Sequence, residues 1–383
     1  MKQLHSKFFY KDENEYHSVN TSHKKNDKFI TRIAYTLIAI GLTVVVSSSY
    51  AATRVYSVGN SHFAIKHLIF CFASLFCIRF FSKKLNWLDN FGFFIWVVSV
   101  LALIFVLFFS SSIKGASRWI SVFGIAFQPS EFVKIAAVLE GSKYVEKNWN
   151  RFFITYTIPM ILILLQPDLG NTILLFGLGL AQVITRKFNV KYIVYTGLIF
   201  IALLVIAYFS FSHVQTRIDV FLNPNKDLFG AGYQRYKAFL AMQNGGLFGR
   251  GFGKGIIKDF LPDAHTDFVF CVIVEEFGVL AGLSVILLFI ALAYRVLKLL
   301  AKDQYIQTIQ YSIIISILSS AWLNIASTLS LVPTKGLTLP LISYGGSGLV
   351  VQGILFGILL ATTKTPQSFA LKKLHKNLDN DEE

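Results

Sequence analysis

Long hydrophobic runs without a single charge recur along the chain. Residues 33–53, 90–113, 192–216, 304–334 and 336–363 contain no Asp, Glu, Lys or Arg. Less clean apolar segments lie between them at about 62–82, 130–146, 152–166, 169–185 and 268–297. At 1.5 Å rise per residue, about 20 residues cross the ~30 Å hydrocarbon layer. The pattern therefore predicts an all-α polytopic membrane protein of about ten transmembrane helices, the shorter ones helped by snorkelling flanks such as Lys66 and Arg79.

Polar segments orient these spans. With both termini cytoplasmic, the inner loops hold Lys83, Lys84, Lys143, Lys147, Arg151, Arg186, Lys187, Lys191, Arg295, Lys298 and Lys302. The short outer loops hold only Arg54, Lys66, Lys114, Arg118 and Lys335, so the positive-inside rule is obeyed. One long outer loop, about 212–266 between helices 7 and 8, is basic too, and long loops translocate regardless of charge. The expected organisation is a polar cytoplasmic tail over 1–29, not a cleaved leader, a ten-helix domain over 30–363, and a second cytoplasmic tail over 364–383.

Composition agrees. Of 383 residues, 54% are hydrophobic, 15% are charged and 37 are Phe, where a soluble domain carries about 25% charged residues. The formal charge of +15 elsewhere suggests a polyanion partner. Here it is sorted by side of the bilayer, and no nucleic-acid partner is expected. Cys71, Cys77 and Cys271 lie in apolar runs and imply no disulfide framework.

Ionisable residues inside or beside spans are candidates for function, because each is costly in lipid. Glu131 and Lys134, three apart after Gln128-Pro129-Ser130, share a helix face and read either as a self-neutralising pair or as a site. Gln166-Pro167-Asp168-Leu169-Gly170 reads as a tight outer turn whose carboxylate could reach Lys134. In Leu261-Pro262-Asp263-Ala264-His265-Thr266-Asp267, an extended backbone would project Asp263, His265 and Asp267 to one side, as weak candidates for a divalent cation. Equally, Thr266 or Asp267 would cap the next helix, or a partly desolvated Asp267 would serve as a general base. Residues 245–255 pack six glycines into eleven positions and read as a flexible linker or a substrate-covering loop. Pro333 to Ser347, with Lys335 as a phosphate anchor, reads as a re-entrant or cavity-lining loop, or as an ordinary hairpin.

Taken in order, several motifs resemble the SEDS family (shape, elongation, division and sporulation proteins). They are Gly115-Ala116-Ser117-Arg118-Trp119-Ile120, Gln128-Pro129-Ser130-Glu131 with Lys134, Gln166 to Gly170, Tyr233-Gln234 and Gly245-Gly246-Leu247-Phe248-Gly249. Leu261 to Phe268, Glu275-Glu276-Phe277-Gly278 and Ser343-Tyr344-Gly345-Gly346-Ser347 complete the set. Residues 333–340 and 264–267 resemble the division branch more than the elongation branch. Asp263 stands where the family usually has Glu, and Gly348 where a second Ser is common.

The resemblance implies a peptidoglycan glycosyltransferase of the bacterial inner membrane that polymerises lipid II at the outer face during septal wall synthesis. Its implied partners are a class B penicillin-binding protein transpeptidase and other divisome membrane proteins. The family's catalytic carboxylate falls on Asp267 and its outer-loop tryptophan on Trp119. Positive charge for a leaving diphosphate is expected from Arg118, Arg217, Lys335 or a divalent cation, Mg or Mn. Glu131, Lys134 and Asp168 are expected to shape the cavity, with Gln234, His265 and Ser343 also contacting substrate. The competing readings are a lipid II flippase using Glu275, Glu276 and Lys134, an elongation-type polymerase, and a scaffold.

Overall fold

The computed structural model describes residues 28–49, 62–110, 118–122, 125–145, 147–186, 190–222, 231–333 and 336–364. The two expected tails, apart from their junctions with the bundle, and the Lys335 assignment lie outside them. Helices dominate: α1 (Lys28–Ser49), α2 (His62–Phe81), α3 (Leu85–Phe109), α4 (Pro129–Tyr144), α5 (Trp149–Leu165) and α6 (Leu169–Thr185) come first. Then follow α7 (Val190–Ser210), α8 (Ser212–Leu222), α9 (Ala231–Gly245), α10 (Val269–Lys298), α11 (Gln304–Thr328) and α12 (Gly346–Lys364). A two-stranded hairpin, β1 (Ile120–Val122) with β2 (Ile125–Phe127), precedes α4.

Each of the ten predicted segments overlaps at least one helix. Among the described residues, α1, α2, α3, α10, α11 and α12 contain spans long and apolar enough to cross a bilayer, so the chain is a polytopic membrane protein. α5 and α6 are apolar but shorter. Local chemistry sets the helix starts. Pro129 occupies the first turn of α4, where its missing N–H is harmless, and Asn148, Asp168 and Asp303 accept from backbone amides as N-caps of α5, α6 and α11.

Three boundaries differ from the sequence reading. The run 192–216 breaks at Phe211, and the segment from Phe200 bends by 97° into Val214–Leu222. The loop 212–266 is largely structured, holding α8, α9 and a 3₁₀ turn at Ile257–Phe260. The apolar runs 304–334 and 336–363 are too generous. α11 ends at Thr328 and α12 begins at Gly346, and the stretch between is an inserted loop whose Leu337, Leu339, Leu341 and Ile342 are buried. Its Ile342 backbone packs so closely on α1 that a Cβ at Gly41 would lie 2.6 Å from the Ile342 carbonyl oxygen. Irregular backbone at such depth is tolerated because protein surrounds it.

α4 forms the centre, packed by α3, α5, α6, α11 and α12, and almost all of its residues are buried. α12 packs on α2 at backbone distance. A Cβ at Gly353 would lie 2.7 Å from the Ser74 carbonyl oxygen, and one at Gly357 3.0 Å from that of Cys77. Small residues let membrane helices approach this closely.

The glycine-rich segment is not a flexible linker but is docked on α10. α10 is broken at Gly278 (φ 86°, ψ 171°), which removes the helical bonds from Val279 and Leu280 back to Glu275 and Glu276. The loop replaces each of them. Arg250 and Gly251 amides donate to the Glu275 and Glu276 carbonyls at 3.0 and 2.8 Å, while Val279 and Leu280 amides donate to Gly246 and Leu247 at 2.9 and 3.4 Å. Gly249 (φ +78°) sits over the gap, where a Cβ would collide with the Glu276 carbonyl and lie 2.5 Å from the Phe277 nitrogen.

This docking predicts unequal costs for two similar substitutions. Gly246→Ala, with φ +54° and open space around the Cβ position, should cost about 1 kcal/mol for left-handed backbone alone. Gly249→Ala adds a collision with peptide groups and should cost about 3 kcal/mol or more. Thermal unfolding in detergent micelles checks this, and equal melting temperatures would show that the loop is not seated in the break.

Candidate functional site

The turn before α10 is tight, not extended. Asp263 adopts φ +58°, and its carbonyl accepts from the Thr266, Asp267 and Phe268 amides at 3.1, 3.1 and 3.4 Å. The alternation of Asp263, His265 and Asp267 therefore does not place them on one side of a strand. No group of three His, Cys, Asp or Glu positioned for a metal ion exists among the described residues. Nor do Thr266 or Asp267 cap α10, whose N-cap is Phe268 without a side-chain bond. His265 is buried instead, its ring 4.9 Å from Phe63 and 5.3 Å from Tyr344.

What holds the turn is its backbone. Three successive carbonyls are gripped from outside: Tyr344 amide donates to His265 O at 2.9 Å, Ser343 Oγ to Thr266 O at 2.6 Å, and Asn324 Nδ2 to Asp267 O at 2.9 Å. Asn324 also donates to Leu337 O at 2.6 Å, and Ser343 Oγ accepts from the Leu339 amide at 2.8 Å. The inserted loop and α11 thus lock the peptide that carries Asp267. Its carboxylate faces Gly336, where a Cβ would lie 3.3 Å from Oδ2, and it stays partly exposed.

A second cluster lies where α4 and α6 begin. Glu131 and Lys134 form a buried ion pair at 2.7 Å. Asp168 Oδ2 accepts from Gln128 Nε2 and Asn171 Nδ2 at 3.0 Å each, while Oδ1 accepts from the Asn171 amide at 3.2 Å. The expected Asp168–Lys134 contact is bridged: Lys134 Nζ donates to Asn171 Oδ1 at 3.4 Å, and Asn171 Nδ2 also reaches Ser130 Oγ at 3.2 Å. Arg118 Nε donates to Gln166 O at 3.1 Å, and its Nη2 donates to Pro167 O. The guanidinium so clamps the α5–α6 turn. Trp119 beside it is half-buried at the foot of the hairpin, its carbonyl accepting from Ser110 Oγ at 3.0 Å.

Arg217 on α8 joins the two clusters electrostatically. Burial pushes its guanidinium below the ordinary arginine value and Arg118 acts in the same direction, while Asp267, Asp168 and Asp263 oppose both. Arg235, next to the half-buried Gln234 on α9, donates to Phe221 O at 3.1 Å and Ser330 O at 3.3 Å. Arg217 and Arg235 line one pocket with Val220, Phe221, Ser327, Val332 and Pro333.

Similarity to known proteins follows this architecture. The profile of the cell cycle protein family of FtsW, RodA and SpoVE matches residues 27–367. The chain belongs to that family. A relative from Caulobacter vibrioides, named a probable peptidoglycan glycosyltransferase FtsW, is 33% identical over 350 residues, covering 88% of each chain. One from Buchnera aphidicola with the same name is 32% identical, over 85% of this chain and 90% of its own. Among solved structures, a chain of a peptidoglycan synthase complex coordinating polymerization and crosslinking superposes with TM-score 0.71 at 22% identity, over 88% of this chain and 98% of its own. RodA of Thermus thermophilus superposes at 0.65 with 21% identity, over 88% and 97%. These two share the fold.

Within this family member, the expected site residues divide. Asp267, Arg217, Arg118 and Asp168 fall in one electrostatic neighbourhood, and Glu131 and Lys134 join it through Asn171. The His265 carbonyl and the Ser343 hydroxyl take part in the bonds that hold the turn. Glu275 and Glu276 serve as tethers. Glu275 Oε1 accepts from the Ile256 and Ile257 amides at 2.8 Å each, and Glu276 Oε1 pairs with Lys258 Nζ and accepts from Ser47 Oγ at 2.6 Å. Carboxylates fixed this way argue against the carrier reading. Sequence reasoning missed Asn171, Asn324 and Arg235. The available signal for Asn324 was an amide placed well inside a long membrane-crossing helix.

Breaking the buried pair tests its role. Lys134→Met leaves Glu131 charged and enclosed, and should cost about 3–5 kcal/mol of stability. Adding Glu131→Gln should recover most of that loss in a double-mutant cycle on detergent unfolding. Additive losses would mean that the two side chains do not interact.

Proposed function

We propose that this family member is an inner-membrane peptidoglycan glycosyltransferase that polymerises lipid II at the outer face during septal wall synthesis, with Asp267 as general base. The observation that carries the reading is the Asp267 carboxylate itself. Its backbone is locked by Ser343, Tyr344 and Asn324 around the turn, yet the side chain stays partly exposed and within the field of Arg217. A base works when it is held in place beside the proton it removes.

In the proposed reaction the acceptor sugar's 4-hydroxyl gives its proton to Asp267 as the oxygen attacks the donor's anomeric carbon. The bond from that carbon to the diphosphate breaks, and polyprenyl diphosphate leaves with the electron pair. Negative charge grows on the leaving group, and preorganised cations stabilise such charge strongly. Arg217, within the field of Asp267 and Arg118 and lining a pocket with Arg235, is the proposed source of that charge. The Gln128–Asp168–Asn171–Lys134–Glu131 network keeps the starts of α4 and α6 in register. A class B penicillin-binding protein and other divisome membrane proteins are the proposed partners. The named relatives support the enzymatic reading, and a structural neighbour drawn from a synthase complex supports the transpeptidase partner.

Asp267→Asn should lower glycan polymerisation from lipid II, measured with purified protein and its transpeptidase partner, by about 10²–10⁴-fold. The melting temperature should stay unchanged, because the locking bonds use the backbone. Long glycan made at the normal rate by the Asn variant would remove Asp267 from the mechanism.

A further inference from the structure

The break in α10 fixes the depth of the glycine-rich loop. Beyond it, Val279 to Lys298 advances about 30 Å at 1.5 Å per residue, enough to cross the hydrocarbon layer by itself. The far end carries Arg295 and Lys298, as a cytoplasmic end should. The break therefore lies at the outer edge of the hydrocarbon. From there an exposed apolar stripe runs inward through Val279, Leu280, Leu283, Leu287 and Ile290, facing lipid.

The loop continues that stripe outward. Leu247 is hydrogen-bonded to Leu280 and Gly246 to Val279. Leu247, Phe248 and Phe252 are 62%, 80% and 56% exposed, an apolar knob that a water-facing surface would rarely keep. Arg250 and Lys254 alternate with them and are exposed as well. Apolar and aromatic side chains interleaved with cations are the composition of segments that lie in the boundary between acyl chains and headgroups. Four backbone bonds to α10 hold the knob rigid, so little ordering entropy opposes its insertion.

We propose that residues 246–254 are an interfacial foot that seats in the outer leaflet. Leu247, Phe248 and Phe252 enter the acyl–headgroup boundary, and Arg250 and Lys254 engage the phosphates of anionic phospholipid. The foot sets the height of the α10 break, and through Glu275 and Lys258 that of the segment leading to the 261–268 turn. The lipid-facing stripe and the charge complementarity favour phospholipid over a protein partner as the occupant.

The test uses the full chain in lipid nanodiscs without lipid-linked sugar, so its outcome is independent of the proposed activity. Cys77 is replaced by Ala, and Cys71 and Cys271 are buried. A Phe248→Cys variant then carries an environment-sensitive NBD dye, with Lys83→Cys, at an exposed site between α2 and α3, as the aqueous control. Lipid bearing a nitroxide near the headgroup should quench the dye at 248 several-fold more than an aqueous nickel chelate does, with the reverse at 83. Phe252→Cys gives an independent second reading should the first variant fold poorly. Phosphatidylglycerol should raise the lipid-to-water ratio over pure phosphatidylcholine, and Arg250→Gln with Lys254→Gln should abolish that gain. Dye as open to nickel at 248 and 252 as at 83 overturns the foot, and is also the result expected if this surface serves a protein partner absent from the nanodisc. Lipid quenching indifferent to phosphatidylglycerol overturns the anionic headgroup contact.

Discussion

Backbone polar groups buried in a membrane protein must find partners within the protein, and α10 shows what that demand builds. A helix broken at Gly278 would strand two carbonyls and two amides. The segment 246–251 supplies all four partners, and it can approach only because Gly249 and Gly278 carry no Cβ. Once seated, the loop fixes the following 3₁₀ turn, whose amides cap Glu275. That turn delivers the chain to Leu261 and the site. A loop of nominally free backbone becomes a braced arm running from the α10 break toward Asp267.

The same economy of backbone operates at the site itself. Asp267 is positioned through carbonyls at 265, 266 and 267, each bonded to a residue of the inserted loop or of α11. The carboxylate itself stays partly exposed beside Gly336. Around it the charged side chains are unequal. Glu131 and Lys134 neutralise each other in the core, and Asp168 is fully engaged as an N-cap and amide acceptor. These groups stand out in sequence because charge is rare in spans, and their geometry is that of a scaffold. Arg217 differs, since burial and a neighbouring arginine work against its charge while three carboxylates favour it.

Much of this was legible in the sequence, and what escaped it did so for physical reasons. Charge-free runs located the helices because a long apolar segment has few stable uses other than crossing lipid. Apolarity could not mark where α11 and α12 stop, since the loop between them is buried in protein and so is as hydrophobic as a span. Alternating Asp263, His265 and Asp267 invited a ligand reading that required an extended backbone, and the left-handed Asp263 removes it. Asn171 was invisible because its meaning lies in contacts with Ser130 and Lys134 on another helix.

The sequence by itself determined that the chain is a bundle of membrane helices, predicted which way it faces, and marked Asp267 as a conspicuous acid at the start of a span. Those properties follow from local composition, from the sidedness of lysine and arginine, and from the expense of charge near lipid. Only the tertiary structure decided which polar residues brace neighbouring elements and which side chains stay partly exposed. It also decided that the glycine-rich segment is a splint for a broken helix. Hydrogen bonds between elements far apart in the chain make those decisions, and no local pattern records their partners.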